Sequence, residues 1–264
     1  MLAPALSRCA VGVLTFITLT LPYVANAADG ESVHVETATS TSTIVIGFVG
    51  GFVAHNNRHH GSVQFAERIR RALPQGTYVK VFENRRRKQA YAEILRLLDS
   101  DGDGVLSSEE KARARIILFG HSWGGAAAVL LARELRRQGV PVMLTVQIDS
   151  IAKMWQKDSV IPDNVAAAVN FYQPHGILRG EPEITAADPA KTRIIGNYLT
   201  DYKKNPIECP NASWADWVFT RGHVQSECDP RLWSQVEEMV RERLMPGNNY
   251  STTSSATPGS VTLP

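Results

Sequence analysis

Residues 115–128 read Arg115-Ile116-Ile117-Leu118-Phe119-Gly120-His121-Ser122-Trp123-Gly124-Gly125-Ala126-Ala127-Ala128, and this stretch decides the fold class. Its first five residues form a short apolar, β-branched run of the kind found in strands buried on both faces. A small-residue-rich helix pattern follows from Gly124 to Arg137 and is closed by Gly139. Between the two sits Ser122 in a G-x-S-x-G frame. That turn is so tight that side chains at the flanking positions would collide with neighbouring backbone, which is why glycines occupy them. The five-residue pattern is weak by itself; a strand before it and a helix after it give it weight.

Working outward, Ile44 to Val53 is another apolar run, broken by glycines, that suits a parallel strand running into a loop. Ser62 to Leu73 spaces Val63, Phe65, Ala66, Ile69 and Leu73 along one helical face, and Pro74-Gln75-Gly76 ends it. A strand from Tyr78 to Phe82 and a helix from Tyr91 to Leu98 follow. Beyond the serine, Val142–Ile148, Ala166–Tyr172 and Arg193–Leu199 read as strands, and Pro230–Leu244 as the last helix. This alternation predicts an α/β chain with a mostly parallel sheet and helices on both faces. In such sheets chemistry gathers at the carboxyl ends of the strands.

The 264 residues, 44% of them hydrophobic, are enough for one sizeable core and exclude wholesale disorder. Twenty-eight Lys and Arg against 26 Asp and Glu leave a formal charge of +2, so nucleic acid is not a default partner. At the start, Arg8, the apolar run Cys9 to Leu21 and Ala25-Asn26-Ala27 read as a signal peptide over residues 1–27, too short for a transmembrane anchor. Residues 28–43 are a polar lead-in, 44–245 the folded domain, and 246–264 a tail with little to bury. The expected compartment is secreted or periplasmic. There Cys209 and Cys228 are expected to form a disulfide, with two buried free thiols as the alternative.

Through the elbow Gly120 to Gly124 and the strand–helix order around it, the chain from Ile44 to Leu244 resembles the α/β-hydrolase superfamily, in particular small bacterial secreted lipases and esterases. The resemblance implies the α/β-hydrolase fold and a Ser–acid–His triad in that chain order. A serine hydroxyl is a poor nucleophile at neutral pH and needs a histidine base, itself oriented by a carboxylate. Ser122 is the nucleophile on this reading. Asp149, at the end of the next strand, is the favoured acid, with Asp201 as the fallback. The position one strand later, where many family members carry the acid, reads Tyr172-Gln173-Pro174-His175 and offers no carboxylate.

The same order requires the base beyond the last strand. Only His175 and His223 follow Asp149, and His223 alone lies after Arg193–Leu199, in an expected loop, Thr220 to His223, ahead of the final helix. The oxyanion donors implied are the backbone N–H of Trp123 and, by similarity to the H-G-F turn of lipases, that of Phe48, although Ile46 stands where that turn has His. His55, His59 and His60 form a cluster that could suggest metal. With no nearby Cys and no second clear ligand set they read as loop residues over the mouth of the site.

Asp99 to Glu110 fits the 12-residue EF-hand loop at each diagnostic position. Asp99, Asp101 and Asp103 offer oxygens at positions 1, 3 and 5, Gly104 makes the sharp turn, and the Val105 carbonyl supplies position 7. Ser107 acts through water, and Glu110 closes the shell. No second EF-hand pairs with it, so a single structural Ca²⁺ embedded in the crossover before the nucleophile strand is expected. The resulting expectation is an exported, calcium-stabilised serine hydrolase acting on a small-molecule or lipid ester. The rival is a calcium-dependent binding module that keeps the fold without the chemistry.

Overall fold

The computed structural model describes residues 43–212, 220–245 and 261–262. The expected signal peptide, the lead-in up to residue 42 and most of the tail lie outside these residues. Strand β1 (Thr43–Val49) is followed by α1 (Gly61–Ala72), β2 (Tyr78–Glu83), a single 3₁₀ turn (Asn84–Arg86), α2 (Arg87–Leu98) and the short α3 (Ser108–Ala112). Then come β3 (Arg115–His121), α4 (Trp123–Arg137), β4 (Leu144–Ile148), β5 (Val160–Ile161), β6 (Ala167–Tyr172), β7 (Thr185–Ala186) and β8 (Arg193–Leu199). Helices α5 (Arg221–Cys228) and α6 (Pro230–Leu244) and the two-residue β9 (Val261–Thr262) complete the order.

The main sheet runs β2-β1-β3-β4-β6-β8-β9, and every pairing in it is parallel. Because each strand alternates its side chains, the two faces bury two separate cores. Ile44, Ile46, Phe48, Ile116 and Leu118 pack with α2 and α4 on one side. Val45, Val49, Ile117, Phe119 and Val146 pack with α1 and α6 on the other, where Phe65 and Trp233 close over Phe119. Continuous apolar runs in β1 and β3 are what a strand covered on both faces requires.

Local signals set the helix ends. Gly139, at φ 70, lets the chain turn after α4, its N–H donating to the Arg136 carbonyl. Asp229 caps α6 by accepting from the Arg231 N–H, and Pro230 takes the first helical position, where a missing N–H costs nothing. Ser107 and Glu110 form a reciprocal capping box at the start of α3.

Besides the short α3, β5 and β7, which the sequence reading lacks, two features differ from it. The segment carrying His223 is the first turn of a helix, α5, rather than a loop; Gly222 and His223 carry no helix-face pattern that would reveal it. In the tail, Val261 and Thr262 pair with Tyr198 and Leu199, adding a parallel strand to the otherwise open edge of β8. Strand order reverses between β1 and β3: the chain leaves β1 for β2 on one side and returns to β3 on the other. A crevice outside the carboxyl ends of the strands forms at such a switch point. Ser122 lies there.

Candidate active site

Ser122 follows the last residue of β3 and caps α4, with φ 56 and ψ −130, a backbone conformation costly for a residue with a side chain. The surrounding glycines make this turn possible. A Cβ on Gly120 would come within 2.3 Å of the Gly124 carbonyl group, and one on Gly124 within 2.2 Å of the Phe48 carbonyl oxygen. Hydrogen bonds fix the elbow: the Ser122 N–H donates to the Ile148 carbonyl at 3.0 Å, and the Ser122 carbonyl accepts from Gly125 and Ile151. The Ser122 side chain caps no N–H of α4, so the hydroxyl is not used up in holding the helix.

Asp149 follows the last residue of β4, itself at φ 39, and is fully buried. Its Oδ2 accepts from His223 Nδ1–H at 2.7 Å and from Gln173 Nε2 at 3.0 Å, and its Oδ1 accepts from the Gly180 N–H at 2.6 Å. Donation from Nδ1 fixes the neutral tautomer of His223 and leaves Nε2 as the basic nitrogen. Burial, and next the charge of neighbouring His121, hold the His223 imidazolium below its ordinary pKa. The His121 and His223 rings lie 4.4 Å apart between centroids, which places His223 beside the residue that precedes Ser122.

The fallback acid, Asp201, is committed elsewhere: its Oδ1 receives His175 Nε2 at 3.1 Å and the Lys203 N–H at 3.0 Å. Gln173, which follows β6, braces Asp149 by donating from Nε2 to its Oδ2. Nothing local in the sequence marks Gln173 or Gly180 for that role, because both reach Asp149 only through the packing of the loop after β6.

Trp123 is the first residue of α4, where helix N–H groups lack intrahelical partners and can serve an anion. Phe48 lies inside β1, in register with Phe82 and Gly120, and its side chain is buried in the core. Gly50, two residues further on, lies against Ser122: a Cβ there would sit 2.8 Å from the Ser122 Cβ. The loops at the carboxyl ends of β1, β4 and β6 expose Phe52, Met154, Trp155 and Ile177. Phe52 meets Trp123 edge-on at 5.5 Å, and Lys153 Nζ lies 4.7 Å from the centre of the same ring.

In the acidic loop, carboxylate oxygens of Asp99, Asp101 and Asp103 converge within 4.8 Å of one another. Asp99 accepts from the Gly102 and Gly104 N–H groups, and Asp103 from that of Val105, with Gly102 and Gly104 at positive φ. Glu110 does not join that cluster. Its carboxylate receives the Ser100 N–H and hydroxyl and both Ser107 donors, and the Ser100 hydroxyl first among them holds its pKa at about 2. The Cys209–Cys228 bridge is formed, with Cα atoms 5.7 Å apart, and ties α5 to the chain ahead of it. Of the expected histidine cluster, His55 binds Glu83 at 2.9 Å. His60 turns inward, against His121 and Glu227.

No family model matches the chain, and no curated protein matches it. Among solved structures it is similar to a cutinase-like protein from Cryptococcus sp., at 12% identity and a TM-score of 0.39, over 77% of this chain and 95% of that one. A dienelactone hydrolase from Anabaena variabilis aligns at 11% identity and a TM-score of 0.36, over 79% and 88%. An acetylxylan esterase aligns at 13% identity and a TM-score of 0.36, over 77% and 99%. Likeness at this level transfers neither residues nor activity. Among the described residues no helix is long and apolar enough to cross a membrane.

Proposed function

We propose that this chain is an exported serine hydrolase of carboxylic esters on an α/β-hydrolase fold, with Ser122, His223 and Asp149 as its triad. The observation that carries this reading is the buried Asp149–His223 pair at 2.7 Å, with the His223 ring 4.4 Å from that of His121, the residue ahead of a serine held at φ 56 in a strand–turn–helix elbow. The Ser122 hydroxyl oxygen adds to the ester carbonyl while His223 Nε2 takes its proton. Asp149 holds the ring and stabilises the imidazolium so formed. As the tetrahedral intermediate collapses, the alkoxide leaves with the proton from His223, and an acyl-serine remains. Water, deprotonated by the same imidazole, then releases the acid and restores the hydroxyl.

The oxyanion would be held by the Trp123 N–H and by a donor from the β1–α1 loop. Phe48 was the sequence expectation for the second; the closeness of Gly50 to Ser122 favours the Gly50–Gly51 backbone instead. The exposed Phe52, Met154, Trp155 and Ile177 at the same end of the sheet support an ester with an apolar acyl chain.

The residues of the acidic loop suit calcium: three clustered carboxylates, glycines at both tight turns, and oxygen donors throughout. Asp99, Asp101, Asp103, the Val105 carbonyl and Ser107 through water would hold the ion, with Glu110 exchanging its Ser100 contact for the metal. Bound there, calcium would supply structural charge neutralisation between α2 and β3. Fluorophosphonate labelling of the mature protein, lost in Ser122→Ala, tests the enzymatic reading; absence of labelling in calcium would favour a binding module.

A further inference from the structure

The geometry points to a second metal site, for a zinc-class divalent cation, built from His60, His121 and Glu227 behind the catalytic histidine. The donors come from three separate elements. His60 is the N-cap of α1, His121 ends β3, and Glu227 lies near the end of α5, the helix that carries His223. Their ligand atoms converge within 4.8 Å of one another, and the three side chains are 11%, 6% and 9% exposed.

The hydrogen-bond inventory of the cluster does not close. His121 Nε2 lies 3.1 Å from the His223 carbonyl, which can only accept, so Nε2 carries the proton. The Ser226 hydroxyl donates to that same carbonyl at 2.7 Å and accepts from His121 Nε2 at 3.2 Å. His121 Nδ1 faces Glu227 Oε2 at 2.7 Å, so that either a proton or a metal cation must stand between them. His121 Nδ1, Glu227 Oε2 and His60 Nδ1 are all buried without a hydrogen bond. Two imidazole nitrogens facing one buried carboxylate is an arrangement that a shared cation satisfies.

Two imidazoles and a carboxylate are a borderline donor set that suits zinc and its neighbours and not calcium. The outer contacts are those of a ligating histidine: a backbone carbonyl holds the other ring nitrogen, and the Ser62 N–H steadies Glu227 Oε1 at 3.1 Å. A cation here would clip α1, β3 and α5 together, with His121 stacked on His223 at 4.4 Å. It would fix the position of the base without touching substrate.

The test uses the untagged mature protein, stripped with a transition-metal-selective chelator in millimolar calcium, so that the acidic loop stays saturated. Cobalt(II) is then titrated as a spectroscopic probe, and zinc content is measured after dialysis. The site predicts one equivalent of cobalt with visible ligand-field absorption, displaced by zinc. That absorption should vanish in His60→Asn and in Glu227→Gln and persist in Asp101→Asn. No stoichiometric binding by the folded wild-type protein overturns the proposal whatever the variants do, and so does absorption that survives His60→Asn but is lost in Asp101→Asn. None of these readouts depends on ester hydrolysis.

Discussion

His223 Nδ1 and Asp149 Oδ2 stand 2.7 Å apart although 74 positions separate them in the chain. The contact joins the end of β4 to the first turn of α5, whereas Asp201, the other carboxylate that the sequence offered, meets His175. Asp149→Asn should therefore lower kcat for a short-chain nitrophenyl ester by roughly 10³–10⁴-fold, because the ring loses its orienting acceptor and settles in the wrong tautomer. Asp201→Asn, which alters contacts with His175, Lys203 and Lys204 and none with His223, should leave kcat within about twofold of wild type by the same account.

The pH profile follows from the burial of His223. Only the neutral imidazole can accept the Ser122 proton, and the folded protein holds the imidazolium below the ordinary value of 6.5. As pH rises, kcat/KM should increase through a midpoint below 6.5 and then level off. The sign for stability is the same: the unfolded chain binds the proton more readily, so this group favours unfolding as pH falls below 6.5. A kinetic midpoint at 7 or above would contradict the assignment of His223 as the base.

The elbow glycines are required for close approach of backbone to backbone. Gly120→Ala would place a methyl group 2.3 Å from the Gly124 carbonyl group, where neither partner is a flexible side-chain tip. A loss of about 1–3 kcal/mol or more in urea unfolding is expected, together with loss of fluorophosphonate labelling as the serine is displaced.

Millimolar calcium should raise the melting temperature relative to chelator, since an ion bound only by the folded state stabilises it by linkage. Asp101→Asn should remove most of that difference while leaving the melting temperature in chelator nearly unchanged.

Reduction of Cys209–Cys228 should cost about 3 kcal/mol in the chain-entropy account of a loop this short. The unreduced mature protein should show no reactive thiol, and two would contradict the bridge. Because the bridge ends at the last residue of α5, activity should be lost at a lower denaturant concentration once it is opened.

Much of this was legible because it is local. The tight turn around Ser122, the strand-to-helix order, the spacing of oxygen donors from Asp99 to Glu110 and the presence of two cysteines after Asp149 are properties of short segments, and short-range sterics and periodicity write them into the sequence. What tertiary structure decided is every relationship between distant segments. Asp149 rather than Asp201 meets His223, Gln173 donates to Asp149, and Gly50 lies against Ser122. His60 turns inward to a glutamate that holds the N–H of Ser62 across 165 positions. Such pairings depend on strand register and crossover length, which set where a side chain ends up; no window of neighbouring residues contains that information, because the energy that fixes it comes from burying two cores at once.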